Sequence, residues 1–202
     1  MIKQTNVIKR KTFVAREDLL NRLSEIAKAN GYSVFELVNE IFQLEIESNG
    51  INLSLKKMAS EHRQLETARQ AGFMLGLENV WYDMADLAYG KDKHLAQKSW
   101  FDAGVWFASR YTSNDQSRAS LSMFKGDLSA FIWNAPELYF EQTDNQVLIR
   151  VTSPRFTEAY TFLFTSFLLG AMQRLGYKPT VQEVTRGVIR LGCVKEAEYG
   201  ST

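Results

Sequence analysis

One short stretch near the amino terminus constrains this chain more than any other: Asn30-Gly31, followed at once by Ser33-Val34-Phe35-Glu36. Glycine takes the left-handed backbone that closes a helix carboxyl end. Serine with glutamate three residues later is a capping box, in which each side chain satisfies an orphan amide at a helix start. Residues 17–46 are therefore expected to form two helices. The first, about 17–29, is entered through Arg16, Glu17 and Asp18, and Leu19, Leu20, Leu23, Ile26 and Ala27 recur along it at helical spacing. The second carries Leu37, Val38, Ile41, Phe42, Leu44 and Ile46. Before both, residues 5–15 include Val7, Thr12, Phe13 and Val14, which favour an extended backbone. One short strand and two short helices cannot bury this much apolar surface in a single chain. A second copy is implied, and the module is expected to be a homodimer.

Charge gives the extended stretch a direction. The whole chain has a formal net charge of only +1, so a polyanionic partner must be argued from local charge. Lys3, Lys9, Arg10, Lys11 and Arg16 come before any acid, the first being Glu17. Such a run is either a solvated basic tail or a nucleic-acid contact.

Residues 10–44 resemble the ribbon-helix-helix repressors of the MetJ/Arc/CopG type. The likeness runs through Arg10-Lys11-Thr12-Phe13-Val14-Ala15, Leu19-Leu20-Asn21-Arg22-Leu23 and Gly31-Tyr32-Ser33-Val34-Phe35-Glu36-Leu37-Val38. In that family, strands from two subunits pair antiparallel and enter the DNA major groove, with alternate side chains facing the bases. The resemblance implies base contacts from Arg10, Thr12 and Val14, with Phe13 and Ala15 turned to the helices. It implies phosphate contacts from Lys9, Lys11, Ser33 and Val34, the last two through free amides at a helix start. Two positions depart from the pattern: Lys11 stands where an apolar residue is usual, and Val14 where a polar base-reader is common. A register shifted by one would turn Lys9, Lys11 and Phe13 outward; it is disfavoured because it exposes Phe13. A dimerisation element without a DNA role is the remaining reading of this module.

The polar, glycine-containing residues 47–52 are read as a linker, dividing the chain into residues 1–50 and 51–202. A helical segment, continuous or interrupted, is expected over about 55–89, with Gly72 and Gly76 four apart on one face. Another helix is expected over 98–111, rich in aromatic residues. Strands are expected at 121–123, 130–133, 138–141 and 147–151, the last two forming a hairpin. Ser153-Pro154 is expected to open an apolar helix that Gly176 closes. Two strands, about 180–185 and 188–194, turn at Arg186-Gly187 and complete one antiparallel sheet. The fold class is thus α+β, a ribbon-helix-helix module followed by a larger α+β domain whose antiparallel sheet packs on helices. The apolar helix, its closing glycine and Val181-Gln182-Glu183-Val184 through Gly187, Arg190, Gly192 and Cys193 resemble, in outline over about 65–194, the 4-vinyl-reductase-type small-molecule-binding domains. That resemblance implies a sensor. Members of that family that hold a metal do so through clustered cysteines, and this chain has one cysteine, so no metal site carries over.

Cys193 excludes an intramolecular disulfide and fits a reducing compartment. The residues after Met1 turn polar at once, and the apolar run at 159–173 is too short to span a bilayer, so a cytoplasmic protein with no membrane partner is expected. His62 and His94 have no ligand-like neighbours in sequence, and Cys193 reads as a small core side chain. No phosphate loop, nucleophile elbow or metalloprotease helix appears, so no catalytic residue and no cofactor are expected, and the chain is not read as an enzyme. Asp83 and Asp86 near Trp81 and Tyr82 are equally compatible with a solvated helix face. Trp81, Trp100, Trp106, Phe162 and Phe167 are candidates to line a pocket for an apolar or planar effector. The resulting expectation is a dimeric transcription regulator that binds double-stranded DNA, whose second domain senses an effector or drives oligomerisation. Its alternative is an antitoxin-like interaction protein without effector sensing.

Overall fold

The computed structural model describes residues 11–51, 54–112, 117–143 and 145–196. It is an α+β chain of two compact units, Met1–His62 and Arg63–Thr202.

In the first unit, residues 11–16 run without regular structure into α1 (Glu17–Ala29), which turns into α2 (Val34–Gly50). Gly31, at φ 76°, makes the turn, and the Tyr32 amide donates to the Ala27 carbonyl at 2.9 Å. The capping box is complete: the Glu36 amide donates to Ser33 Oγ at 3.2 Å, and the Ser33 amide to Glu36 Oε2 at 2.8 Å. That amide holds the Glu36 carboxyl below its usual range. Residues 47–50, expected as linker, instead continue α2. Ser48 donates to the Leu44 carbonyl at 2.7 Å, and Gln43 reaches Glu47 at 2.9 Å, so polar side chains support the last turn.

α3 (Leu55–Gln70) ends where Gly72 takes φ 82°, and α4 (Glu78–Lys91) begins after the break. Gly72 and Gly76 therefore lie in a connection and not on one helix face, because a left-handed glycine stops the ladder. α5 (Lys93–Ser109) is capped by Asp92, whose carboxylate accepts from the Leu95 amide at 2.9 Å.

Residues 121–123 and 130–131, expected as strands, belong to α6 (Ser117–Phe131), and 132–133 follow its end. Leu121, Phe124, Leu128 and Phe131 are all buried, and their spacing of three, four and three residues is helical. The hairpin lies as expected, β1 (Glu137–Gln142) against β2 (Gln146–Thr152); Asp144, in its turn, falls outside the described residues. The apolar helix α7 (Glu158–Arg174) starts later than Ser153-Pro154 suggested. Thr157 caps it, accepting from the Tyr160 amide at 3.2 Å, while Ser153 donates to the Asn134 carbonyl at 2.8 Å. Gly176, at φ 82°, follows its end.

β3 (Tyr177–Thr185) and β4 (Val188–Lys195) complete an antiparallel sheet of order β1-β2-β4-β3. Alternate residues Val147, Ile149 and Val151 of β2, and Ile189, Leu191 and Cys193 of β4, are buried. α7 packs against β3 and β4 and also against α4 and α5, so it lies inside the unit between sheet and helices. Its contact with α5 is unusually close. A Cβ on Gly104 would stand 2.0 Å from the Phe167 carbonyl oxygen, and one on Gly170 2.0 Å from that of Phe101.

Candidate nucleic-acid interface

Within the first unit, Ala27 and Ser48 are the buried residues among those described. Leu19, Leu20, Ile26, Phe35, Phe42 and Leu44 stay exposed. Two helices meeting at one crossing have no third layer to close over them. The result is an open apolar concavity of about 400 Å³, walled by Phe13, Leu20, Leu23, Ile26, Val38 and Phe42 among others.

The entry segment lies across that concavity. Phe13 packs edge-on against Phe42, ring centroids 5.6 Å apart, and Ala15 also lines the hollow. Val14, between them, is 99% exposed, and Lys11 and Thr12 are exposed too. Phe13 and Ala15 touch the hollow at alternate positions, yet Phe13 itself stays 55% exposed and every residue from 11 to 16 is open to solvent. Residues 11–16 are neither helical nor paired with a strand of their own chain. Lys9 and Arg10 lie outside the described residues. Ser33 is exposed and Val34 half-buried at the start of α2. Arg16 is tied to Asp18 in an exposed bidentate pair, at 2.6 and 3.0 Å.

In the second unit, the five aromatic residues expected to share a pocket enter different contacts. Trp100 meets Tyr160 edge-on at 5.4 Å, and Phe167 stacks on Phe164 at 5.9 Å and meets Phe107 at 5.7 Å. Trp81 and Trp106 are 41% and 64% exposed, each against a glycine of the α3–α4 connection. A Cβ on Gly76 would come 2.3 Å from the Trp81 indole nitrogen, and one on Gly72 3.2 Å from the Trp106 ring. Arg110 secures the same connection, donating to the Ala71 carbonyl at 2.9 Å while its guanidinium stands 4.3 Å from the Phe107 centroid. Phe162 stacks on Tyr89 at 6.1 Å, with the Lys93 ammonium 5.1 and 5.4 Å from the two centroids. The Tyr89 hydroxyl is buried with no hydrogen-bond partner among the described residues.

Sequence reasoning missed a polar cluster around Asn134. Its amide donates to the hydroxyls of Tyr82 at 3.2 Å and Tyr160 at 3.0 Å. The Tyr82 hydroxyl donates to Glu78, which pairs with Arg155 at 2.8 Å. Burial, and with it the Glu78 carboxylate, pushes both phenols above their ordinary range, so they remain neutral hydrogen-bonding groups. Asn134 stands 52 residues from Tyr82 and 26 from Tyr160, and no local pattern joins them. His62 and His94 are exposed. Cys193 is buried, and burial pushes its thiol up to about 11. Among the described residues, no helix is long and apolar enough to cross a membrane.

No protein-family model matches this chain, and no curated protein matches it. A solved structure described as "Probing the function of heme distortion in the H-NOX family" is similar at 15% identity with a TM-score of 0.38, over 73% of this chain and 94% of that one. At that level the likeness carries no argument about function.

Proposed function

We propose that this protein is a dimeric, sequence-specific DNA-binding transcription regulator of ribbon-helix-helix type. Residues 10–15 of two copies pair as an antiparallel ribbon, and Arg10, Thr12 and Val14 face base edges in the major groove. Lys9, Lys11 and the amino end of α2 at Ser33 and Val34 contact phosphates. The reading is supported by one observation: a segment without regular structure, unpaired in its own chain, holds Phe13 against Phe42 and leaves Val14 exposed. The open apolar concavity beneath it is what a second copy would fill. The second unit binds a small apolar effector or mediates oligomerisation, with Trp81, Trp100, Trp106, Phe162 and Phe167 as the residues to probe. An effector acts only if it binds the DNA-competent and DNA-incompetent dimers with different affinity.

The test is a gel shift with selected and random duplexes across a salt series. Replacing Arg10 and Thr12 by alanine is expected to lower affinity for the selected duplex by about 3 kcal/mol, roughly two orders of magnitude, while the dimer persists. Random-duplex binding should fall steeply with salt. Selective binding that survives the double change refutes the strand assignment. A dimer that binds no duplex at all favours the antitoxin-like alternative.

A further inference from the structure

The basic stretch before α1 ends in a residue to which no role has yet been given. Phe13 and Ala15 line the apolar hollow, and Thr12, Val14 and Arg16 do not. Arg16 has an extended backbone, φ −65° and ψ 132°, and α1 begins only at Glu17. Its side chain is 74% exposed. Asp18 grips it from one side, Nε donating to Oδ1 at 3.0 Å and Nη2 to Oδ2 at 2.6 Å. A guanidinium has five N–H donors in a rigid fork. The edge that carries Nη1 therefore has no partner among the described residues. An exposed pair of this kind adds little to stability, but its two parallel bonds fix where the free edge points.

We propose that the free edge of Arg16 clamps a DNA phosphate at each end of the ribbon. The inference rests on the ribbon reading above and extends it to a residue outside the paired stretch. Symmetry locates that residue. A two-fold antiparallel ribbon that turns the same side chains of both copies to the DNA must be centred on a residue. Centred on 11, it sets Lys11 against Lys11 of the other copy, and centred on 13 it sets Arg10 against Arg16. Like charges directly opposite are destabilising. Centred on Thr12, it sets no like charges opposite. Arg16 then lies four residues from the axis, about 13 Å along the strand. The major groove is about 12 Å wide and turns once in about 10 base pairs, so a straight strand leaves it within a few residues of its centre. At that distance the strand end meets the sugar–phosphate wall. The same end brings the acids Glu17 and Asp18 towards the phosphates, and Arg16 is the base beside them. Such a contact holds the duplex without reading its sequence.

The test measures binding of the full chain to the selected and random duplexes across a salt series. Arg16→Ala is expected to lower the slope of log affinity against log salt by about two, from one phosphate per copy at about 0.9 each. Both duplexes should weaken by the same factor, roughly 60-fold at 0.1 M salt and vanishing near 1 M. Because the side chain is exposed, melting temperature and solution mass should match the parent's. Arg16→Lys keeps the charge and loses the fork, and is expected to keep the slope while weakening both duplexes several-fold. Lys28→Ala removes an exposed charge from the other end of α1 and should leave the slope unchanged. An unaltered slope for Arg16→Ala, a loss confined to the selected duplex, or an equal change for Lys28→Ala overturns the proposal. A parent chain that prefers no duplex sinks the ribbon reading and this inference together. A selective parent whose slope ignores Arg16→Ala sinks this inference alone.

Discussion

Gly170→Ala sets local propensity against tertiary packing, and the geometry decides the sign. Alanine in a helix interior is favoured over glycine by about 1 kcal/mol, so propensity alone predicts a more stable protein. The added methyl would lie 2.0 Å from the Phe101 carbonyl oxygen, where ordinary contact needs about 3.2 Å. The obstacle is backbone, so α5 and α7 must separate by roughly 1 Å. A gap of that size forfeits a quarter to a half of each contact's attraction along the seam. Overpacking of a tight core costs about 3 kcal/mol at the upper end of the common range. Less the gain in propensity, the net is about 2 kcal/mol of destabilisation, or roughly 6–8 °C in melting temperature for a domain near 150 residues. Gly126→Ala in α6 is the matched control, because its methyl would meet nothing within 4 Å. It should stabilise by about 0.5–1 kcal/mol. Urea and thermal unfolding of the three proteins checks both signs. A Gly170→Ala protein as stable as its parent, or a Gly126→Ala protein that loses as much, refutes the argument.

Gly104→Ala, facing the Phe167 carbonyl at the same 2.0 Å, should match Gly170→Ala, and the double variant should fall short of additivity because both changes push the same two helices apart. Ser33→Ala removes the capping-box acceptor and should cost about 1 kcal/mol in chemical denaturation; an unchanged midpoint would count against the cap. Tyr111 donates to Asp127 at 2.6 Å, so Tyr111→Phe should destabilise by about 1–2 kcal/mol through the carboxylate left behind, as measured by thermal unfolding. The pH dependence follows from groups whose folded values are raised: Cys193, from 9.0 to about 11, and Tyr82 and Tyr111, above 10. Folding favours their protonated forms. Their stabilisation is whole below pH 9, and melting temperature should fall as pH rises through 9–11 for the thiol and beyond 10 for the phenols. A flat alkaline profile would contradict the burial assigned to them.

What the sequence alone determined is what neighbouring residues impose on one another. Asn30-Gly31 and Ser33 to Glu36 set the end of α1 and the start of α2 because caps are hydrogen bonds among residues at most five apart. The apolar, β-branched run from Val147 to Val151, next to the turn residues 143–146, announced a hairpin strand. Gly176 marked the end of α7 by its backbone freedom. The surplus of apolar side chains on α1 and α2 was countable before any coordinate was known. α6 carries its own signal, since Leu121, Phe124 and Leu128 recur at helical spacing and fit a helix better than the strands expected over 121–123 and 130–133.

Tertiary structure alone decided the rest. Ser153 and Thr157 are both competent caps, and Ser153 was taken from that role by the Asn134 carbonyl, 19 residues away. Asn134 gained its place between Tyr82 and Tyr160 only when three elements converged. Gly104 and Gly170 look like weak points in helices until two backbones meet across them. Met84 and Leu87 of α4 likewise stay exposed because its other side packed on α7. The physical reason is common to all four: a residue's own neighbours set its backbone, and side chains distant in sequence set what that backbone is used against.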